Sequence, residues 1–340
     1  MIHFRIVAPP DGARHALDLL SASSSVLNIV YLEGAARKPE GDMIMCDVAR
    51  EDASVIIGDL KELGIPEQGS ISAEHIDIAI SDAAVAAEQA APGLPSDAVV
   101  WEEVESRTSE DTELSFSFVL FMIAAMQIAA VAIVLDQPVL LVGAMVVGPE
   151  FGPLAGVCVA LVNLQGRLAR RSLLALAVAF PTGALVTLLT AVVMIGVGAF
   201  PDDFADAQHP FTEFISNPDF LSFFVALVAG SAGVLSLTSA KSGALIGVLV
   251  SVTTIPAASN ISVAAAYGAW DEAGGAAAQL GINLSGIVVA GVVTLFVQRR
   301  YYVARRRRHL MDPARTRAGL PLGHSARGTA SARVEGIEDR

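Results

Sequence analysis

Val139-Leu140-Leu141-Val142-Gly143-Ala144-Met145-Val146-Val147-Gly148-Pro149-Glu150-Phe151-Gly152-Pro153-Leu154 is apolar enough to enter a bilayer, yet Gly148-Pro149, Glu150 and Gly152-Pro153 interrupt it near its centre. Proline removes a backbone donor and frees carbonyls one turn back. In hydrocarbon, freed groups are tolerated only inside protein or along a water-lined cavity. A second run has the same character: Gly243-Ala244-Leu245-Ile246-Gly247-Val248-Leu249-Val250-Ser251-Val252-Thr253-Thr254-Ile255-Pro256-Ala257-Ala258-Ser259-Asn260, broken at Pro256. Broken spans in corresponding places of two halves of a membrane protein are the best pointer a sequence offers to a transport site.

Working outward, six apolar runs lie at roughly 114–135, 138–164, 172–199, 220–239, 242–268 and 276–297, each reaching the ~20 residues that a bilayer-crossing helix needs. Hydrophobic residues make up 53% of the 340 and aromatic residues only 6%, and the mean hydropathy is +0.57. That excludes an ordinary soluble protein and leaves small aliphatic side chains as the material of the spans. Split after the third run, the chain gives two sets of three, and an odd number forces the second set to insert upside down. Gly143-Ala144 and Gly243-Ala244 open the middle span of each set. The expected fold is a mainly α-helical multi-pass membrane protein: six spans arranged as two inverted three-span repeats, with spans two and five broken.

Ahead of the spans, residues 1–80 read as a cytoplasmic α+β domain. His3–Ala8, Val26–Leu32, Asp42–Val48 and Ser70–Ile80 are strand-like, with Ile71, Ile76, Ile78 and Ile80 mostly alternating. Asp11–Ser21 and Glu51–Leu63 are helical in pattern, the second ended by Gly64 and Pro66. The order βαββαβ is the ferredoxin-like pattern. Residues 81–113 read as an acidic linker, 114–302 as the six-span domain, and 303–340 as a basic, then disordered cytoplasmic tail. Met1-Ile2-His3-Phe4-Arg5, followed by Pro9-Pro10, has no secretory-signal pattern.

The charge balance is −13, with most of the excess acid ahead of the first span. An acidic soluble part argues against a nucleic-acid partner. Arg167, Arg170 and Arg171 follow run two, Lys241 follows run four, and Arg299, Arg300 and Arg305 to Arg308 follow run six. The opposite segments hold Asp136, then Asp202, Asp203, Asp206, Glu213 and Asp219, then Asp271 and Glu272, with no Lys or Arg. The positive-inside rule puts both termini in the cytoplasm of a cell (inner or plasma) membrane protein. The expected partners are membrane lipid, a small solute or ion, and further copies of the chain, because small residues throughout the spans permit close helix packing.

From about Ser109 to Tyr302 the chain resembles the uncharacterised hydrophobic-protein family catalogued as domain of unknown function 389. The residues that carry the resemblance are Gly143-Ala144-Met145 through Gly148-Pro149 and Gly152-Pro153, Arg170-Arg171-Ser172, Val228-Ala229-Gly230-Ser231-Ala232-Gly233, Pro256, and Gly281-Ile282-Asn283-Leu284. The α/β part looks like the family's cytoplasmic domain. Where the family usually shows an apolar residue after the first proline, this chain has Glu150. The resemblance implies a multi-pass membrane protein and names no substrate.

The candidate transport-site residues are Glu150, Pro149, Pro153, Thr253, Thr254, Pro256, Ser259, Asn260 and Asn283. A carboxylate at mid-bilayer costs ~2.5–3.5 kcal/mol on insertion scales, so it faces a cavity or a partner. Glu150 therefore suits proton coupling or cation binding, or else bonds as a neutral acid to the backbone loosened beside Pro149. Thr253, Thr254, Ser259 and Asn260 line a path or satisfy the carbonyls freed at Pro256. Asn283 and Ser285, with Gln279, complete a polar centre or serve helix packing. No catalytic residue, metal site or cofactor is expected: the six histidines and two cysteines are scattered and lack ligand spacing, and no nucleophile–base pair is visible. The two function classes left are a transporter or channel-like permease regulated by the cytoplasmic domain, and a membrane-anchored ligand sensor or scaffold without transport.

Overall fold

The structure, a computed structural model, describes residues 1–91, 93, 98–201, 204, 212–239, 253–320 and 322. Its packing divides the chain into two units, the first built on Met1–Glu102 and the residues from Gln298 onward, the second on Glu103–Leu237 and the described residues up to Val297.

The first unit is a four-stranded antiparallel sheet with helices. In chain order it holds β1 (Ile2–Ala8), α1 (Pro10–Ala22), β2 (Val26–Arg37), β3 (Glu40–Val48), α2 (Arg50–Glu62), α3 (Ile65–Gln68) and β4 (Ser70–His75). The sheet order is β2-β3-β1-β4, so β3 sits between β1 and β2. Register aligns Phe4 with Cys46 and Ile6 with Ile44. The period of two puts these four on one face, where they are fully buried with Leu20, Ile56 and Leu60 from the helices. Each such aliphatic or aromatic side chain contributes ~1.5–3 kcal/mol by leaving water. Gly64, at φ +73, closes α2's end in the left-handed region that glycine enters without strain. The alternation that extends to Ile80 outlasts the strand. β4 stops at His75 opposite Ile2, where its neighbour β1 is exhausted, and Ile78 and Ile80 are left exposed.

The described residues of the segments read as linker and tail include helices. Residues 81–113 contain α4 (Asp82–Ala90) and α5 (Trp101–Asp111). Ser81 starts α4 by accepting a hydrogen bond from Ala84 N at 3.0 Å, and Trp101 N donates to Ser54 Oγ at 2.8 Å. In the 303–340 segment, the long helix that starts at Trp270 continues to His309, and Ala314–Arg317 forms another short helix. The physical reason is charge. Arg306 reaches Asp59 at 2.5 Å and Glu62 at 2.8 Å, His309 Nε2 reaches Asp59 at 2.6 Å, and Arg315 pairs with Asp59 and with Glu62, the latter at 2.6 Å. Burial alone would raise the Asp59 carboxyl. The His309 hydrogen bond and the charges of Arg306, His309 and Arg315 outweigh it and hold Asp59 below the ordinary carboxylate value. Ala318 joins the domain's core behind this cluster. Residues 323–340 lie outside the described residues.

The second unit is helical. It holds α6 (Phe116–Val134), α7 (Pro138–Val147), α8 (Phe151–Asn163), α9 (Gly166–Gly196) and α10 (Phe220–Thr238). After these come α11 (Thr254–Ala266) and α12 (Trp270–His309), whose residues from Gln298 on belong to the first unit. By length and composition α6, α9, α10 and α12 are candidate spans, and α7 with α8 makes a fifth if this pair, bent by 52°, is one span. Mostly helical architecture with four to five candidate spans is what the described residues carry. Of the expected fifth run, residues 242–252, including Gly243-Ala244, lie outside the described residues, as do Lys241 and Asp202, Asp203 and Asp206.

α6 is the hub, with Met122, Ala125, Met126, Ala129 and Ile133 buried against its neighbours. α10 and α12 approach closely through glycine. A Cβ on Gly230 would lie 2.7 Å from Ile287 Cα, and one on Gly286 would lie 2.7 Å from Ala226 Cβ. Small residues at such crossings let helix backbones meet where no hydrophobic drive operates. A separate open groove of about 400 Å³, lined by Glu105, Ser109, Gln165, Arg167 and Arg171 among others, shares no residue with the polar centre described next.

Candidate polar centre in the second unit

α7 stops because Gly148 leaves the helical region (ψ 128) and Pro149 offers no N–H to continue the ladder. α8 restarts at Phe151 with Glu150 at its N-cap. Pro153 then falls third in the helix, and Pro256 falls third in α11. In the first turn a proline's missing N–H is not needed. The sequence reading paired Pro149 with Pro256 as mid-span kinks. In the structure Pro153 and Pro256 each stand third in a helix, and both mark helix starts.

Glu150 is 5% exposed. Thr254 Oγ1 donates to its Oε1 at 2.6 Å, and its Oε2 has no partner among the described residues. A Cβ on Gly148 would lie 2.5 Å from that Oε2 and 2.7 Å from Ile255 Cγ1. Only a glycine lets the end of α7 come this near. The carbonyl end of α7 and the amide ends of α8 and α11 thus meet around Glu150. Their partial charges oppose one another, and Glu150 is the ionisable group placed among them.

Thr253, next in the chain to Thr254, accepts from Asn283 Nδ2 at 2.9 Å. Gln279 Nε2 donates to Asn283 Oδ1 at 3.4 Å. Asn260, one turn pair further along α11, donates from Nδ2 to Glu272 Oε1 at 3.0 Å. The structure therefore joins Glu150 to Thr254 and Thr253 to Asn283. Asn260 is turned to α12 near its start. Ser259 faces away from this network: its hydroxyl donates to the Met126 carbonyl at 2.8 Å, a packing bond to α6. Ser285 bonds its own helix at Gly281, and Gln127 donates to Thr190 at 3.2 Å; neither belongs to the centre. Glu272 was read only as an outer-loop charge. Its spacing of seven and eleven residues before Gln279 and Asn283, one helical face, was the signal.

Residues 145–289 match the family model described as Domain of unknown function (DUF389). This is the family that the residues of the chain resemble; the matched stretch includes Glu150, all of α8 to α11 and Asn283. No curated protein and no solved structure matches the chain. Apolar helices of spanning length together with this family fit a membrane protein of unknown function.

Proposed function

We propose that the chain is a transporter or channel-like permease for a small solute or ion, with its path at the break between α7 and α8 beside the start of α11. The observation that carries this reading is a carboxylate buried where three helix ends meet, with one oxygen left without a partner among the described residues. Burying an ionisable group in a membrane is costly, and such groups mark ion and substrate pathways.

Helix lengths support two inverted three-span repeats. α6 and α10 each have 19 residues, and α8 and α11 each have 13. Phe116 precedes Phe220 by 104 residues, Phe151 precedes Thr254 by 103, and Gly166 precedes Trp270 by 104. In this reading α6, α8 and α9 correspond to α10, α11 and α12, the six-span count is completed by residues 242–268, and Glu150 meets Thr254 because both lie next to the two-fold axis. The first unit, whose strand order fits a ferredoxin-like domain, is cytoplasmic and regulates the path, with Arg167, Arg170 and Arg171 on its side of the membrane. The exposed aliphatic face of α9, with Leu185, Leu189 and Val193, meets lipid or a second copy.

Flux through liposomes carrying the full chain tests the proposal. Panels of cations, anions and neutral solutes are compared with empty liposomes, and Glu150→Gln, which keeps an acceptor for Thr254, should abolish the pH dependence of the flux found. No flux of any solute above the empty-liposome level would sink it and leave the ligand sensor or scaffold.

A further inference from the structure

We infer that the seam between α11 and α12 is the route by which a small cation, a proton or an alkali-metal ion, reaches Glu150 from the membrane face at which α12 begins. This deepens the permease reading and rests on it. Glu272, Gln279 and Asn283 stand seven and four residues apart on one face of α12, and Thr253 and Asn260 stand seven apart along α11. Seven helical residues rise ~10 Å, so the polar positions follow the helix pair lengthwise rather than cluster at one level. The two helices are tied at both ends of this row, by Asn283 to Thr253 at 2.9 Å and by Asn260 to Glu272 at 3.0 Å. The row then passes through Thr253 and its neighbour Thr254 to the Glu150 carboxylate.

The chemistry of the row selects a cation. Among the described residues, three of its buried oxygens have no partner: Asn260 Oδ1, Gln279 Oε1 and Glu150 Oε2. All three are acceptors. The Asn260 amide is fixed in orientation, because its Glu272 neighbour accepts and so requires the NH₂ group. Acidic side chains, Asp271 and Glu272, stand at the entrance, and one stands at the end. Among the described residues, α6, α7, α8, α11 and α12 before Arg299 contain no Lys, Arg or His to repel a cation. The titratable and charged groups on the elements packed around Glu150 are Cys158 within α8, Asp111, whose Cβ a side chain on Gly152 would meet at 2.6 Å, Arg167, Arg170 and Arg171 in the first turns of α9, and Glu272 through the seam.

Occupancy of Glu150 is read without transport by a hydrophobic carbodiimide, which adds to buried protonated carboxyl groups, with mass spectrometry of the full chain in liposomes. Raising the pH protects Glu150 if the cation is a proton. Adding sodium or potassium at fixed pH protects it if the cation is an alkali ion. On rapid mixing, Glu272→Gln and Gln279→Leu should each slow the onset of protection roughly tenfold, about the factor that one lost buried hydrogen-bonding group is worth, while the final extent stays the same. Glu272 is half-buried at a helix start, so Glu272→Gln tests the route even if Gln279→Leu does not fold. Wild-type onset in Glu272→Gln, or a Glu150 insensitive to both pH and alkali ions, overturns the inference. Protection without flux of any solute removes the permease reading and keeps the cation site. Flux that persists with Glu150 never protected does the reverse.

Discussion

Arg315→Met tests whether the ion cluster around Asp59 closes the first unit. Arg315 and Asp59 are both fully buried at their side chains, and Glu62 is 12% exposed. Removing one partner of a buried pair typically costs 3–5 kcal/mol, because the other charge stays buried and unpaired. After Arg315→Met, Asp59 keeps Arg306 and His309, and Glu62 keeps Arg306, so the expected loss is the low end, about 3 kcal/mol. Asp59→Leu takes from Arg306, His309 and Arg315 the carboxylate they share and should cost about 4–5 kcal/mol. The double variant should cost less than the sum by roughly 1–3 kcal/mol, since each change removes the charge that the other leaves stranded. Urea unfolding of the full chain in detergent reads these values through Trp101 in a Trp270→Phe background. Trp101 is 8% exposed, with its ring centre 6.1 Å from that of Tyr302. The same cluster gives a pH sign. Asp59 titrates lower in the folded state than unfolded, so its contribution is complete above the unfolded carboxylate value of ~3.9 and is lost as pH falls through the folded one. Single losses below ~1 kcal/mol that simply add, the behaviour of exposed pairs, would refute the reasoning, as would a stability that does not fall in acid more steeply than that of Asp59→Leu.

Two further outcomes follow from close packing. Gly148→Ala puts a methyl group against Glu150 Oε2 and Ile255 and should cost about 1–3 kcal/mol by overpacking, read as a lower thermal midpoint in detergent; an unchanged midpoint would mean that the end of α7 stands free of α11. Cys46 is fully buried, and burial, with Asp47 adding to it, pushes its thiol up to about 12, so maleimide should fail to label it at neutral pH until urea unfolds the first unit; rapid labelling of the native chain would contradict the packed sheet face.

The parts of this chain legible from sequence are those set by one-dimensional pattern. Alternation at Phe4 and Ile6 reports a buried sheet face, and Gly148-Pro149 inside an apolar run reports the break between α7 and α8, because both effects are local. What escaped depends on residues far apart. Nothing local separates Arg306 and Arg315 from an ordinary basic tail. Their partners are Asp59 and Glu62, some 250 positions earlier, and only the fold brings the charges together. Glu272 shows only its shared helix face with Gln279 and Asn283; its pairing with Asn260 is not local, and a carboxylate beside a helix start reads as a loop charge or a favourable dipole contact.

Under the inverted repeat proposed above, the prolines admit two alignments of the halves. Pro149 and Pro256 both break apolar runs, and matching them by appearance gives an offset of 107 residues. The helices instead start 103 or 104 residues apart, and Pro153 and Pro256 both stand third in their helices. The difference matters chemically. With Pro149 as the equivalent, Glu150 would correspond to Ala257, a packing residue inside α11. With Pro153 it corresponds to Thr253, the N-cap of α11 and the acceptor of Asn283. On the second alignment the same backbone position in each half, the N-cap of a half-helix, contributes a polar side chain to one centre: a carboxylate from α8 and a hydroxyl from α11. Under the proposed repeat the pair of caps has one ionisable end, so Glu150→Thr would make the two caps alike. That variant should keep the fold, since threonine is itself a favoured N-cap, and should lose the carbodiimide adduct and any pH-dependent flux together. A Glu150→Thr chain that retained pH-dependent flux would detach the transport chemistry from this centre, whatever the symmetry of the helices around it.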